Sequence, residues 1–185
     1  MGCLALAIRC LIGGVFLTSF IGKVAGRGAF DRFVSSVRDM RVLPTRAAAR
    51  SVARCVVTAE AAVCVTLATP VRAVAVGGFV LSGVLLTVFA AGILLSLRQG
   101  VRTPCRCFGA STSPLGPGHV ARNLTLTAVA VTGAVAVPAA GPATPGATVL
   151  SVLAGLLLGG LTTALDDILD LFRPVDRAPG LARGR

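Results

Sequence analysis

The stretch AVAVGGFVLSGVLLTVFAAGILLSL, from Ala73 to Leu97, is 25 residues long and contains no charged side chain. An α-helix needs about 20 consecutive apolar residues to cross the hydrocarbon core of a bilayer. This stretch is therefore predicted to be a transmembrane helix.

The composition of the whole chain agrees with a membrane location. Of its 185 residues, 55% are hydrophobic and 14% are charged, and the mean hydropathy is +0.87. A soluble domain carries about 25% charged residues. Because so few charges cannot coat a soluble surface, we expect lipid to be the solvent for most of the chain. Trp and Tyr are absent, which leaves eight Phe as the aromatic residues that can anchor it at the interface.

Four other apolar segments have nearly spanning lengths. Together with the first stretch they predict five transmembrane helices in a single membrane domain over residues 4–165, at 4–22, 47–69, 73–97, 120–137 and 147–165. No positively charged n-region precedes the first segment, so we expect a retained helix rather than a cleaved signal peptide. Runs such as VGGFVLSG and LAGLLLGG supply small residues that let helices pack closely in lipid. The predicted fold class is all-α, a polytopic membrane helix bundle.

The regions outside the predicted spans differ in character. Between the first two spans, Phe30, Phe33, Val34 and Val37 recur at helical spacing with charged residues between them. This pattern predicts an amphipathic helix over 28–43 that lies in the membrane interface. A polar loop rich in Gly and Pro over 98–119 contains two cysteines in a CxC pattern, and a basic tail covers 173–185.

The distribution of basic residues predicts the orientation. In the five-helix arrangement, sixteen of the eighteen Lys and Arg residues fall on one side and only Arg9 and Arg72 on the other. Because basic residues stay on the cytoplasmic side, we expect a plasma-membrane protein with its N-terminus outside and with the CxC loop and C-terminus in the cytoplasm. A four-helix arrangement would separate the basic tail from the basic loops. The sixteen are Lys23, Arg27, Arg32, Arg38, Arg41, Arg46, Arg50, Arg54, Arg98, Arg102, Arg106, Arg122, Arg173, Arg177, Arg183 and Arg185.

The two cysteines of the CxC pattern, Cys105 and Cys107, are the residues best suited to chemistry. The neighbouring Arg102 and Arg106 favour the thiolate, which is the reactive form. A disulfide across a single residue closes a strained ring, and strain makes such a bond labile and suited to exchange. Two unpaired thiols in a reducing compartment, or a metal pair assisted by His119, are the alternatives.

Two residues of the second predicted span, Cys55 and Glu60, each have a functional and a structural interpretation. Cys55 falls on the same side as the CxC loop, as either a resolving thiol or a small buried hydrophobe. Glu60 is the only acid within that span, and a carboxylate inside a membrane costs about 2.5–3.5 kcal/mol even on lenient insertion scales. It must therefore face the bundle or a wet cavity, as a proton relay or as a polar packing site. Lys23, at the end of the first span, either pairs with it or snorkels to the interface.

Other function classes lack their signatures. His119 is the only histidine, which excludes His-based triads and multi-histidine metal sites. Walker, GxSxG and HExxH patterns are absent, and we predict no metal and no cofactor. The net charge of +11 is explained by topology and anionic lipid. Nucleic acid is not an expected partner, because the chain lacks aromatic interleaving and any recognition motif.

Taken together, three features give the sequence a family resemblance. They are the run FLTSFIGKVAGRGAFDRFVSSVRDMRVLP from residue 16 to 44, a second span with a central Glu60, and a CRCFG loop followed by ARNLTLTA. The chain resembles the MauE family of methylamine-utilisation membrane proteins, and more distantly DoxX-like proteins, over roughly residues 10–140. One departure is Cys64, which stands where the family usually has a small residue. The residues that make the resemblance to this family specific are Lys23, Glu60, Cys105, Arg106, Cys107, Phe108, Gly109, Arg122 and Asn123.

The resemblance implies a fold and a function. The fold is a four-helix DoxX-like core with an added C-terminal helix. The family is implicated in maturing methylamine dehydrogenase, whose small subunit needs many disulfides and a tryptophan-derived quinone, together with a thioredoxin-like partner, MauD. Cys105 and Cys107 would then be redox-active thiols that pass electrons to such a partner or to an exported substrate protein, and the residues do not specify whether a quinone takes part. The alternatives are a non-catalytic membrane scaffold or assembly factor, and a small proton-coupled transporter centred on Glu60.

Overall fold

The fold is entirely helical in the part of the chain that the structure describes. The computed structural model describes residues 2–100, 116–141 and 144–171, with side chains up to residue 165 in the last of these ranges. It confirms the all-α class, since these ranges contain six helices and no strand. The helices are α1 (Gly2–Val24), α2 (Ala29–Asp39), α3 (Arg46–Ala68), α4 (Arg72–Arg98), α5 (Pro117–Ala136) and α6 (Pro145–Leu171).

Four stretches within the described ranges are long and apolar enough to cross a membrane: α1, α3, α4 and the part of α6 from Pro145 to Leu165. This confirms a multi-pass membrane protein. The fourth predicted span corresponds to α5, which is not among the four. Its 20 residues extend about 30 Å at 1.5 Å per residue, which is a spanning length. His119, Arg122 and Asn123 make its first two turns polar.

Local sequence explains where the helices begin and end. Thr45 caps α3 by accepting a hydrogen bond of 3.1 Å from the backbone N–H of Ala48. Helix α5 begins at Pro117, three residues before the predicted boundary, because proline is favoured in the first helical turn. Helix α2 ends at Asp39 rather than at residue 43, because Arg41 adopts a left-handed conformation with φ of 54°.

Four helices form the core, and the sixth lies outside it. The main apolar cluster takes its buried residues from α1, α3, α4 and α5 and from Val137, the residue that ends α5. Phe16, Val63, Phe79 and Leu86 are almost completely buried within this cluster. Helix α6 packs chiefly on α1, and many of its leucines are exposed. This is the four-helix core with an added C-terminal helix that the family resemblance implies.

Glycine contacts show that α1 and α6 run parallel. A Cβ atom added at Gly155 would collide with the carbonyl oxygen of Ala7, and one at Gly159 would lie 3.0 Å from the carbonyl oxygen of Leu11. Four residues further along α6, the contact on α1 is also four residues further along, so the two helices run in the same direction. The remaining helices alternate in direction, so α1, α4 and α6 end where α3 and α5 begin. We call this side of the bundle the basic end and the other side the opposite end.

The two arginines of the opposite end both donate hydrogen bonds to backbone carbonyls. The Nε of Arg9 donates to the carbonyl of Leu67 in the last turn of α3. The Nη2 of Arg72 donates to the carbonyl of Ala140, just beyond α5, at 2.9 Å. Carbonyls at helix ends have no partner within the helix, so each arginine satisfies a group that would otherwise face lipid.

The parallel packing of α1 and α6 yields a test with an internal control. Replacing Gly155 by Leu should lower the unfolding free energy by about 1–3 kcal/mol, because the new side chain has no room. Replacing Gly160 by Leu should change it little, because a Cβ there meets nothing within 4 Å. Unfolding in detergent, followed by circular dichroism, measures both variants. Equal losses would show that α6 does not pack on α1 through Gly155.

Candidate functional site

A buried ion pair joins α1 to α3. The Nζ of Lys23 lies 2.7 Å from Oε1 of Glu60, and the two side chains are 3% and 0% exposed. The hydroxyl of Ser19 donates to the same carboxylate oxygen at 3.0 Å and accepts from Lys23 at 2.6 Å. Ser19 and Lys23 are one helical turn apart on α1, so both reach the same point of α3.

The apolar face of α2 covers this ion pair. The ring centroid of Phe33 lies 5.0 Å from the Nζ of Lys23, which is within range of a cation–π interaction. Phe33 and Val34 are buried in a cluster with Ala49 and Ala53 of α3. Lys23 therefore does not snorkel to the interface. It is held inside the bundle by a carboxylate, a hydroxyl and an aromatic face.

Asn123 of α5 lies at the same depth as Ser19. Both can be placed from the contact between Gly133 of α5 and Ile8 of α1. Ser19 is eleven residues beyond Ile8 and Asn123 is ten residues before Gly133, which puts both about 15–17 Å from that contact toward the basic end. Since Ser19 touches Glu60 directly, we call Ser19, Lys23, Glu60 and Asn123 the polar layer.

The polar layer contains hydrogen-bonding capacity that the described residues do not use. Asn123 is fully buried, and its Nδ2 donates to the carbonyl of His119 at 2.9 Å. Within the described ranges, its Oδ1 and the Oε2 of Glu60 accept no hydrogen bond. A buried polar atom without a partner costs about 1–3 kcal/mol. The layer can therefore accept a hydrogen bond from water, a hydroxyl or a thiol, while Lys23 compensates the negative charge.

The predicted site residues are only partly within the described structure. Cys105, Arg106, Cys107, Phe108 and Gly109 lie outside the described residues. The described structure stops at Gly100, two residues after the end of α4, and resumes at Gly116, both at the basic end. Asn123 lies six residues inside α5 from Pro117, so the polar layer lies about two turns below the point where this loop rejoins the bundle.

Three other sequence-based candidates do lie within the described ranges. Cys55 is an exposed residue of α3 near the basic end. Arg122 is half-buried, and its Nη1 donates to the carbonyl of Thr162 in α6 at 3.4 Å. His119 is buried at the start of α5. No three His, Cys, Asp or Glu side chains come together in the described part to form a metal-binding group.

Comparisons with known proteins assign the chain to a family. A family model described as methylamine utilisation protein MauE matches residues 1–136. The chain belongs to the MauE family. The methylamine utilization protein MauE of Paracoccus denitrificans is 36% identical over 170 residues, which cover 85% of this chain and 88% of that protein. The one from Paracoccus versutus is 32% identical over 154 residues, covering 82% and 80%. No solved structure matches.

The MauE match coincides with the structural core. It ends at residue 136, which is the last residue of α5, so it covers the four-helix core and the whole polar layer. An alignment that covers 85% of this chain is longer than 136 residues and therefore extends beyond α5. The polar layer thus belongs to the part of the chain that defines a MauE protein.

Sequence reasoning identified Lys23 and Glu60 but missed two of their neighbours. The spacing of Ser19 and Lys23, one turn apart on an apolar helix, is a signal that could have revealed Ser19. Phe33 offered no comparable signal, because its apolar face suits lipid as well as it suits a helix.

The ion pair predicts a strong energetic coupling. Lys23→Met or Glu60→Gln alone should lower the unfolding free energy by about 3–5 kcal/mol, because each leaves a buried charged or polar partner. The double variant should lose clearly less than the sum of the two single losses. Chemical unfolding in detergent of all three variants gives the coupling energy.

The exposed ion pair of the same protein is the control. Arg50 and Asp31 are 3.3 Å apart with side chains 45% and 69% exposed, so Arg50→Gln should cost less than about 1 kcal/mol. Additive losses for Lys23 and Glu60, within about 0.5 kcal/mol, would contradict the buried pair.

Proposed function

We propose that this MauE-family protein carries out thiol–disulfide exchange during the maturation of an exported protein, with Cys105 and Cys107 as the exchanging thiols. The main support for this proposal is the buried polar layer. It lies toward the basic end of the bundle, where the residues on both sides of the CxC loop are found. The names of the relatives associate those proteins with methylamine utilisation. An exported protein of such a system is the substrate class that fits this membership.

The proposed exchange needs only thiols, disulfides and protons. One CxC thiolate attacks a disulfide of the partner, a mixed disulfide forms, and the released partner thiolate takes up a proton. The second cysteine then attacks the mixed disulfide, so that the CxC pair becomes oxidised and the partner has gained two electrons and two protons. The reverse sequence oxidises the partner. A thioredoxin-like protein is the class of partner that supplies or removes these electrons.

The polar layer gives the bundle a role in this chemistry. Each exchange step releases or consumes a proton near the basic end. The Oε2 of Glu60 accepts no hydrogen bond within the described ranges, and Lys23 holds the other oxygen at 2.7 Å. We assign Glu60 the exchange of this proton and Lys23 the compensation of its charge. Cys55, exposed on the same end of α3, is a third thiol that can attack the mixed disulfide in place of the second CxC cysteine.

The proposed orientation places the exchange on the cytoplasmic side. All the basic residues of the described ranges except Arg9 and Arg72 belong to the basic end or to α2, and such residues stay in the cytoplasm. A protein that acts on exported substrates from this orientation would draw electrons from a cytoplasmic reductant.

Trapping of mixed disulfides tests the exchange. With Cys107→Ser or Cys105→Ser, each combined with Cys55→Ser, the remaining thiol can form a mixed disulfide that no neighbouring thiol resolves, so acid-quenched membranes should contain several-fold more of a covalent complex than the Cys55→Ser protein. The variant that lacks both CxC cysteines should contain none. Non-reducing electrophoresis and mass spectrometry detect the complex, and Cys3→Ser, on the first turn of α1, is the matched control. If neither CxC variant traps a partner, the CxC pair is a structural element of a scaffold.

Reporter fusions test the orientation. A reporter that is active only in the cytoplasm should function when fused after residue 110, and one that is active only outside should function when fused after residue 141. The reverse pattern would place the CxC loop outside and contradict the proposed reductant.

A further inference from the structure

A groove of about 700 Å³ opens on the membrane-facing surface between α1, α3 and α6. Its wall begins at Ala68 and Pro70, at the α3–α4 turn of the opposite end, and extends to Leu17 and Cys64, within about one helical turn of the polar layer. The rest of the wall is almost entirely apolar, with Leu17 of α1 and Leu156 of α6 among its residues. Among the described residues that line it, Arg9 is the one with a charged side chain.

The guanidinium of Arg9 has hydrogen-bond donors that no described residue accepts from. Its Nε is bound to the carbonyl of Leu67, and its terminal nitrogens have no other hydrogen-bond partner among the described residues. No acid occurs on α1, on the last two turns of α3 or in the turn that follows. A half-buried guanidinium at the rim of an apolar groove therefore lacks an anionic partner, and a planar guanidinium binds phosphate oxygens in a bidentate manner.

The groove continues from Arg9 toward the middle of the membrane. Its α1 wall runs from Arg9 past Gly13 and Gly14 to Leu17, about 12 Å at 1.5 Å per residue. A Cβ at Gly13 would meet nothing within 4 Å, and one at Gly14 would meet only Leu156, at 3.8 Å. The two glycines thus keep open a channel whose walls suit a hydrocarbon chain.

We propose that this groove binds one anionic phospholipid from the leaflet at the opposite end. The lipid phosphate accepts hydrogen bonds from the terminal nitrogens of Arg9, and one acyl chain lies along Gly13 and Gly14. The occupant is a lipid rather than a soluble phosphate because the anion-binding group lies at one end of a groove that is otherwise apolar. Pockets that combine basic side chains with transmembrane helices bind anionic head groups in this way.

The proposed lipid has a structural consequence. Helix α6 packs chiefly on α1, and its Leu156 forms part of the groove, opposite residues of α3. A bound acyl chain would therefore contact α1, α3 and α6 together. Anionic lipid should hold the last helix against the core, in addition to neutralising Arg9.

The alkylation rate of Cys10 measures occupancy of this groove directly, because Cys10 lies in its wall. The full chain in detergent micelles is treated with N-ethylmaleimide, and peptide mass spectrometry follows Cys10, with exposed Cys55 at the basic end as the reference. Lipid bound at the basic end does not shield Cys10. Phosphatidylglycerol should give half-protection of Cys10 at about a tenfold lower concentration than phosphatidylethanolamine with the same acyl chains, as expected for added hydrogen bonds to a charged group.

Two variants separate the head group from the chain. Arg9→Gln should abolish the preference for phosphatidylglycerol, whereas Arg72→Gln, at the same end but bound to Ala140, should retain it. Gly13→Leu should reduce protection by both lipids, because Gly13 lines the groove and a Cβ there meets nothing within 4 Å, so the larger side chain would occupy the space of the acyl chain. It keeps Arg9 intact, so it remains informative if Arg9→Gln does not fold.

The result that overturns the proposal is equal protection of Cys10 by the two lipids in wild type, a preference that survives Arg9→Gln, or unchanged protection in Gly13→Leu. Protection by inorganic phosphate alone would show that the site binds a free anion, and it would likewise overturn the assignment to a lipid.

Discussion

The ion pair between Lys23 and Glu60 is the interaction on which the arrangement of the bundle depends. Neither charge is tolerated alone inside a helix bundle surrounded by lipid, and the attraction offsets the cost of burial only when the geometry is close. A distance of 2.7 Å requires that α1 and α3 keep one register. Hydrophobic packing alone would allow these two helices to slide, because lipid is as apolar as their side chains. The pair therefore determines which residues of the two helices face each other, and it places Ser19 on the carboxylate.

The number and order of the helices could be predicted from the sequence, because a long apolar run needs no tertiary information to be recognised. The packing could not be predicted in the same way. The runs VGGFVLSG and LAGLLLGG are equally rich in small residues, yet only some glycines lie in contacts. A Cβ at Gly155 would collide with α1, whereas one at Gly77 or Gly160 would meet nothing within 4 Å. Composition shows that close packing is available, but only the positions of the neighbouring helices decide which glycine uses it.

The residues of the candidate site also differ in whether the sequence alone could identify them. Glu60 could be identified because a single acid in an apolar helix must have a partner, and Lys23 was among the candidates for that reason. Asn123 came from the family resemblance, since no property of an isolated asparagine near the start of a helix reveals that it is fully buried. The role of α2 was predicted only in part. Its alternation of apolar and charged residues describes a helix at an interface, but the cover that Phe33 provides over Lys23 depends on where the chain turns after α1.

The charges of the chain serve different purposes at the two ends of the bundle. At the basic end, Lys23 is bound inside the core and the polar layer lies beneath the attachment points of the CxC loop. At the opposite end, Arg9 and Arg72 are bound to backbone carbonyls. Helix α6 connects these two regions, because it runs parallel to α1 from the opposite end to the basic end. A bundle that stopped after α5 would end at the opposite end and would lack the α6 wall of the groove beside Arg9. The last helix, although it lies outside the four-helix core, therefore completes the groove beside Arg9.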